Sequence, residues 1–514
     1  MNFLNLGEKF SYIAQKYKNK TSIVIDLKSY TFAYVEKKSN LFANFLNHKN
    51  IKIGDIVCIS SKKNIGTFIA ILGCLKVGVA YNIIDRKSPV KRIRKMLSKL
   101  NPKMIIGDKN FEKSMSYIQK KKFIRYEEIG DLVNKDEIKF RSKKSNPSRS
   151  TNAYIMFTSG STGEPKGVII THGQVLNFSE WCKNEYDIDG KNISTNLNSL
   201  FFDNSIFDIF GCLFNGSTLV TFNRSEIINI QVLIKKLKRF KINLWFSVPS
   251  LLIYLMKFFD LKKNKLKNLR KIIFGGEGFP KGSLKALYEF VGKKTSLINV
   301  YGPTECTCIC SSYVIKKIDL LGEEMKKLAP LGKMKTPNFK FLILDKKRKK
   351  IQGGKIGELY IGGENVSKGY YDLNAETKKK FIQNPFNKKN TDIFYKTGDL
   401  VYRDVKRDLI YFSSRYDNQI KHQGYRIELD EIENSISSIN GVIENTVTFG
   451  KKNKINEITC WIVKKIDIEK IKYEARKKLP SYMIPHKYII FDKNLPKNSS
   501  GKVNKKKLKN KYYD

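Results

Sequence analysis

Short apolar, β-branched runs recur through the first part of the chain, separated by longer stretches of helical period. Ser22-Ile-Val-Ile-Asp26, Ile56-Val-Cys-Ile-Ser60 and Lys103-Met-Ile-Ile-Gly107 are such runs. Strands buried on both faces of a parallel sheet read as continuous apolar runs rather than as alternation, and a strand–helix–strand rhythm is the mark of α/β layers. The pattern therefore predicts an α/β fold with parallel sheets. Residues 66–84 come nearest to a membrane span, but Lys76 interrupts the stretch and three glycines dilute it. It reads as a buried helix running into a strand. Residues 135–151 are polar, charged and Ser-rich, a surface connection leading into Ala153-Tyr-Ile-Met-Phe157. That run predicts a buried strand ending at a Gly-rich loop, after which Val168-Ile-Ile170 resumes the apolar pattern. Near 411 the pattern changes again. Tyr411-Phe-Ser-Ser-Arg-Tyr-Asp417 closes one block, and Arg426-Ile-Glu-Leu-Asp-Glu-Ile-Glu433 opens an amphipathic helix with Leu429, Ile432 and Ile436 on one face.

Length divides this pattern into cores. At 514 residues the chain calls for two or three, and 41% hydrophobic and 12% aromatic residues are enough to fill them. The expectation is a large N-terminal domain of layered α/β subdomains over residues 1–412, a hinge at 413–418, and a small α+β domain over 419–514. Met1-Asn-Phe-Leu-Asn-Leu lacks the basic n-region of a secretory signal. The eight cysteines include no CxxC pair. Cys306, Cys308 and Cys310 alternate, so in a strand they would share one face as small half-buried residues rather than as a metal cluster. A reducing, cytoplasmic setting fits this usage.

Charge complicates the picture: 97 Lys+Arg stand against 48 Asp+Glu, a net of +49. Such a balance ordinarily points to nucleic acid or an anionic surface. Here the excess is mostly Lys, spread along the chain and accompanied by abundant Asn and Ile. That is the signature of codon bias in an AT-rich genome, and no nucleic-acid partner is expected. A basic surface would still speed encounter with ATP or an acidic protein.

The candidate chemistry begins at Thr158-Ser-Gly-Ser-Thr-Gly-Glu-Pro-Lys-Gly167. Glycines let backbone amides approach an anion, and hydroxyls and lysine supply donors and charge. Walker spacing is excluded, because Lys166 is followed by Gly167 and the Gly160–Gly163 interval is wrong. A flexible linker is excluded by the buried strands on either side.

The loop resembles the signature of the adenylate-forming superfamily of acyl-CoA synthetases, luciferases and peptide-synthetase adenylation domains. Further motifs follow in that family's order: Asn299-Val-Tyr-Gly-Pro-Thr-Glu305, Gly357-Glu-Leu-Tyr-Ile-Gly362, Tyr395-Lys-Thr-Gly-Asp-Leu400, Arg415-Tyr-Asp417 with Gln419-Ile-Lys421, Leu479-Pro-Ser-Tyr-Met-Ile-Pro485, and Leu495-Pro-Lys-Asn-Ser-Ser-Gly-Lys502. The resemblance runs from Thr31-Phe-Ala-Tyr34 to Lys502. It implies ATP and Mg²⁺ as cofactors, with carboxylate attack on the α-phosphorus aided by cations already in position. By the same resemblance Thr158, Ser159, Gly160, Ser161, Thr162, Gly163 and Lys166 hold the phosphates. Thr304 touches the α-phosphate and Glu305 positions the metal. Asn299, Tyr301 and Gly302 face the adenine from one side, and Gly275, Gly276 and Glu277 line the other. Asp399 accepts both ribose hydroxyls, Arg415 approaches ribose and phosphate, and Lys502 bridges the attacking carboxylate and the phosphate. Asp417 matches the hinge of a mobile C-terminal lid, and Gly424 would line the approach of a pantetheine.

Two features imply an amino acid as the carboxylate. Phe201-Phe202-Asp203-Asn204-Ser205 resembles the motif whose Asp receives an α-ammonium, and a buried ammonium needs such a counter-ion. Pro303 is typical of the peptide-synthetase branch. The implied side-chain pocket comprises Asp203, Asn204, Phe207, Ser247, Ile273, Gly275, Val300, Cys308 and Ile309. It contains no second charge, so it suits a small or medium neutral amino acid, with polarity available from Ser247, Asn204 and Cys308. The stand-alone layout is similar to D-alanine–carrier-protein ligases, which commonly carry Cys where this chain has Gly275, a departure that would widen the pocket. No segment resembles a carrier domain, so an acidic carrier protein bearing phosphopantetheine is expected in trans. Free CoA as acceptor is the alternative enzyme reading, and a polyanion-binding protein on a degenerate scaffold is the non-enzymatic one.

Overall fold

The structure is a computed structural model. It describes residues 2–115, 122–134, 146–160, 164–258, 266–291, 294–322, 328–333, 335–336, 338–351, 353–387, 392–452, 455–498 and 501–513. Ser161, Thr162 and Gly163 of the expected phosphate loop, and most of the expected connection at 135–151, lie outside the described residues. The fold is α/β. Contacts divide it into two compact units: residues 1–84, 102–156 and 167–416, and residues 85–101, 157–166 and 417–514.

The first unit contains three sheets. A six-stranded sheet runs in the order Phe123–Arg125, Met104–Gly107, Ile56–Ser60, Ala80–Ile84, Asn152–Thr158, Lys166–Thr171. Its first five strands pair in parallel. The stretch 66–84 is a helix, Ile65–Val77, followed by the strand Ala80–Ile84. Asn64 caps that helix by accepting from the Thr67 amide, and Gly78 ends it in the left-handed region at φ 73°. Its faces are buried nearly all round, which removes the amphipathic signal and explains the membrane-like composition. Among the described residues no helix is long and apolar enough to cross a membrane.

An eight-stranded sheet places the parallel strands Lys271–Gly275 and Ser296–Tyr301 side by side, with Gly275 opposite Val300 and Phe274 opposite Asn299. The third sheet has seven strands, all antiparallel, and carries Gly357–Gly362, Ile393–Asp404 and Leu409–Arg415. One apolar cluster draws on all three sheets, from Val57 and Tyr154 through Ile273 and Val300 to Leu359 and Val401.

The second unit is α+β. A hairpin joins Gln419–His422 to Tyr425–Glu428 through Gln423 and Gly424, at φ 52° and 79°, the paired positive angles of a tight primed turn. A three-stranded sheet of Val442–Lys452, Ile455–Lys464 and Lys487–Ile490 packs with Leu429–Ser437 and Ile468–Lys478 over a core of Ile432, Ile436, Val447, Ile458 and Ile471. The helix expected to open at Arg426 begins at Leu429. Residues 425–428 are instead a strand, because the hairpin ladder claims their backbone groups before the helix starts. Leu429, Ile432 and Ile436 do share its buried face.

Candidate active site

The strand Ser296–Tyr301 ends at Gly302, where the chain reverses against its own continuation. A Cβ on Gly302 would lie 2.1 Å from the Cys308 carbonyl oxygen, so only glycine permits the turn. A 3₁₀ turn over Thr304–Cys306 follows, and Thr307 and Cys308 adopt φ 54° and 76°. Cys306, Cys308 and Cys310 are accordingly not alternate residues of a strand. All three are buried in this loop, and the positive angles between them break the expected common face.

That turn presents Thr304 and Glu305 from one short segment. Thr304 Oγ1 donates to Asp203 Oδ2 at 2.5 Å, bringing together two residues 101 positions apart. Glu305 is fully buried, and Tyr370 Oη donates to its Oε1 at 2.8 Å. Tyr370 is placed by an antiparallel bridge to Val168, in the strand that follows the Gly-rich loop. No sequence signal marked Tyr370, because its role depends on that long-range pairing.

A second constellation surrounds Asp399, 2% exposed on the strand Ile393–Asp404. Tyr301 Oη donates to its Oδ2 at 2.5 Å, and Arg415 Nη1 donates to its Oδ1. Arg415 Nη2 also donates to the Thr397 carbonyl at 3.1 Å. Burial, then the Asp399 charge, pushes the Tyr301 phenol well above its ordinary range, so it remains a donor. Asn299 donates an amide N–H to the Pro330 carbonyl at 2.8 Å.

The implied side-chain pocket changes in two respects. Gly275 does not widen it: a Cβ there would meet the Val300 carbonyl oxygen at 2.4 Å and Val300 Cγ2 at 2.6 Å, so the neighbouring strand already fills the space. Ser247 adds little polarity, since its hydroxyl accepts from Trp245 Nε1 at 2.7 Å and donates to the Val248 carbonyl at 3.1 Å. Phe207, Ile273, Val300, Cys308 and Ile309 are buried. Phe207 starts a π-helical turn, Phe207–Cys212, and its ring lies 4.6 Å from that of Phe246. Gly276, at φ 88°, leaves Asn204 Nδ2 3.7 Å from where a Cβ would stand. The Glu277 carboxylate accepts from the Ser250 amide at 2.7 Å.

Sequence reasoning also missed a buried pair, Asp208 and Lys63. Asp208 accepts from Asn196 Nδ2 at 2.8 Å, while Lys63 donates to the Asn196 and Phe222 carbonyls at 2.7 and 2.9 Å. Desolvation raises the Asp208 carboxyl and lowers the Lys63 ammonium.

In the second unit the described part of the Gly-rich loop is a tight structure. A Cβ on Gly160 would fall 2.0 Å from the Glu164 carbonyl oxygen. Ser159 Oγ donates to the Arg426 carbonyl at 2.8 Å, and the Gly160 amide bonds to Glu431. Arg92 pairs with the same Glu431 carboxylate, itself raised by burial and lowered by that arginine. Lys166 is buried. Lys502 is exposed in a turn closed by Asn498, whose Oδ1 accepts the Lys502 amide at 2.9 Å. Asp417 is the first residue of the second unit's final segment.

A profile of the family described as AMP-binding enzyme matches residues 10–371. The chain belongs to that family. This AMP-binding enzyme is 34% identical over 511 residues to bacitracin synthase 1 of Bacillus licheniformis, covering 98% of the chain and 9% of that much longer protein. It is also 31% identical to a D-alanine–D-alanyl carrier protein ligase of Bacillus licheniformis, across 86% of each chain. The chain thus spans under a tenth of the bacitracin synthase but most of the ligase. Among solved structures, an artificially fused adenylation–PCP di-domain from Klebsiella oxytoca superposes with a TM-score of 0.83 at 20% identity, over 95% of this chain and 94% of that one. An o-succinylbenzoate CoA synthetase from Bacillus subtilis reaches 0.85 at 21%, over 99% of both. These establish the fold as that of adenylation-domain structures.

Proposed function

We propose that this AMP-binding enzyme activates a small or medium neutral amino acid as its aminoacyl-adenylate, releasing pyrophosphate. It then passes the acyl group to the phosphopantetheine thiol of a separate carrier protein. The observation that carries the reading is the hydrogen bond from Thr304 to Asp203. It couples the residue implied at the α-phosphate to the residue implied at the substrate's ammonium, so the carboxylate between those two ends is held near the phosphorus it must attack.

The remaining residues fit ATP and Mg²⁺. A carboxylate has about four lone-pair positions. Tyr301 and Arg415 occupy one on each oxygen of Asp399, which leaves acceptors for two ribose hydroxyls. The amide oxygen of Asn299, an acceptor, suits the adenine amino group. Glu305, oriented by Tyr370, suits a Mg²⁺ that takes most of its ligands from phosphate and water and needs only one or two carboxylates. When bound, the metal neutralises phosphate charge. Arg415 and Lys502 contribute positive charge of their own, with Lys502 delivered from the second unit by movement about Asp417. The pocket's buried apolar lining and the absence of a charge other than Asp203 support a neutral side chain. The kinship to a D-alanine–D-alanyl carrier protein ligase supports transfer to a carrier in trans.

ATP–pyrophosphate exchange over the twenty standard amino acids, D-alanine and a few aryl acids tests the first half. Strong exchange confined to one or two neutral amino acids is the expected result, and exchange with aryl acids alone would sink the reading. Thioester formation on a phosphopantetheinylated carrier against free CoA tests the second half.

A further inference from the structure

The strand Ile193–Asn196 gives way to a loop that runs to Asp203. Asp203 stands at the N-cap of the helical turn Asn204–Ile206, which passes directly into the π-helical turn Phe207–Cys212. The Asp208 side chain, fully buried, turns back from that run to the start of the loop. Its Oδ2 accepts from Asn196 Nδ2 at 2.8 Å, and Asn198 Nδ2 donates to Oδ2 and Oδ1 at 3.2 and 3.3 Å. Asn198 Nδ2 also donates to the Phe246 carbonyl at 3.4 Å. The Phe246 ring in turn lies 4.6 Å from that of Phe207, the residue bonded to Asp208.

A buried carboxyl group is a costly way to fill a core position, and a leucine of similar size would carry no such desolvation penalty. What leucine lacks is acceptors. Here they hold two asparagines at the start of a segment that would otherwise leave the sheet untied. The same segment ends at Asp203, whose Oδ2 accepts from Thr304 at 2.5 Å. Lys63 braces the strand end, donating to the Asn196 and Phe222 carbonyls at 2.7 and 2.9 Å. The loop is therefore fixed at its start by Asp208 and at its end by Thr304. Phe207 is fixed with it, because the same carboxylate anchors the residue next to it.

We propose that Asp208 is a positioning residue for the amino-acid pocket, holding through Asn198 the loop that presents Asp203 and, through its own backbone, the ring of Phe207. This rests on the amino-acid reading of the pocket and goes beyond its lining, to a residue that acts through others rather than on the substrate. Its contribution is to order the loop before the substrate arrives, so that binding does not bear that cost.

The test uses Asn198→Ala, which leaves Asp208 and Lys63 in place, together with Asp208→Ala and the double variant. Each is assayed by ATP–pyrophosphate exchange with whichever amino acid the wild-type protein exchanges best. A loop released in the free protein must be ordered on binding, so the amino-acid KM should rise about tenfold in each single variant while the KM for ATP stays within about twofold. The double variant should match Asp208→Ala within about twofold, since both changes cut the same tie. Discrimination against an amino acid one methylene larger, about tenfold or more for a fitted pocket, should fall toward unity. A merely structural residue would lower the melting temperature and kcat and leave the amino-acid KM and the discrimination untouched, a result that overturns the assignment. An unchanged amino-acid KM in folded Asn198→Ala, equal rises in both KM values, or multiplying effects in the double variant overturn it too. Should Asp208→Ala fail to fold, Asn198→Ala decides alone. Absence of wild-type exchange with every amino acid overturns the proposed function itself, an outcome distinct from normal exchange that Asn198→Ala leaves untouched.

Discussion

Replacing Asp399 by Asn alters one atom in a buried three-residue network, and the structure sets what that atom is worth. Asp399 accepts from Tyr301 at 2.5 Å and from Arg415, whose side chain is 10% exposed. The amide keeps one acceptor oxygen for Arg415 and turns an N–H₂ toward Tyr301, whose hydroxyl can rotate to accept it, so the loss falls on Arg415, whose charge no longer faces a carboxylate. Breaking one side of a buried pair costs about 3–5 kcal/mol when a charge is stranded. Here Arg415 keeps the Thr397 carbonyl, so a loss nearer 2–3 kcal/mol is expected. The nucleotide effect is separate. One charge-assisted bond to ribose, about 1.5–3 kcal/mol, is lost, so the KM for ATP should rise about 10- to 100-fold while that for the amino acid stays put. Both quantities are measured on one preparation, stability by urea unfolding and KM by pyrophosphate exchange. Arg415→Ala and the double variant complete a cycle in which the combined stability loss falls short of the sum by about 1–3 kcal/mol. A folded Asp399→Asn protein with an ATP KM within twofold of wild type would refute the ribose assignment. Strict additivity in the cycle would refute the network.

Lys502→Ala should lower the exchange rate by about 10²- to 10³-fold, the loss of one electrostatic donor at the transition state, and a near-normal rate would remove Lys502 from the chemistry. Raising salt should slow transfer to an acidic carrier well before it slows adenylation; equal sensitivity of the two steps would count against steering. Burial holds His172, fully enclosed with its Nε2 unpaired, down to about 4. The unfolded chain takes up that proton near 6.5 and the folded chain only near 4, so stability is whole above 6.5 and lost as pH falls toward 4. His172 alone should cost about 2 kcal/mol at pH 5, read as a lower urea midpoint that His172→Gln no longer shows.

Local patterns carried most of the element assignment. Ile56–Ser60 was legible to the residue because four consecutive apolar residues, Ile56 to Ile59, sit between a turn and a polar loop that Ser60 opens. The Leu429 helix was displaced by three residues because Arg426-Ile-Glu428 suits a hairpin strand as well as a helical first turn, and only pairing with Gln419–His422 decides between them. The three alternating cysteines were misread for a similar reason. A period of two predicts a strand only where φ stays negative, and nothing in Cys-Thr-Cys announces that Thr307 and Cys308 do not. Pocket chemistry failed where backbone neighbours matter. The space at Gly275 is taken by Val300 on the adjacent strand, and the Ser247 hydroxyl by Trp245 two residues back. Asp399 was visible as a motif residue, but its partner Tyr301, 98 positions away, came from another motif, and their bond is a product of the fold.

The excess of lysine bears on what steering can mean here. A surface shaped for a polyanion would keep its cations in solvent. In this chain they also occupy the interior: Lys9 is 3% exposed and ends on the Ser179 hydroxyl at 2.8 Å, and Lys63 ends on two backbone carbonyls. Lys281 likewise donates to the Asp319 carbonyl, and half-buried Lys271 divides its ammonium between the Tyr186 carbonyl and the Asp187 carboxylate. Desolvation lowers Lys9 to about 8, a cost that another residue type would avoid. With 97 basic and 48 acidic residues, carboxylates are outnumbered two to one, and neutral oxygens take part of the load even where a carboxylate such as Glu180 or Asp187 is near. Lysine has therefore accumulated without regard to position, and the charge is a property of composition rather than of one docking face. Its pull on an acidic carrier is then long-ranged and diffuse. The salt dependence of transfer should be steep, whereas reversing any single exposed lysine, Lys379→Glu for example, should change the on-rate by less than about twofold. A single exposed lysine whose reversal abolished transfer would instead show that a defined basic face exists.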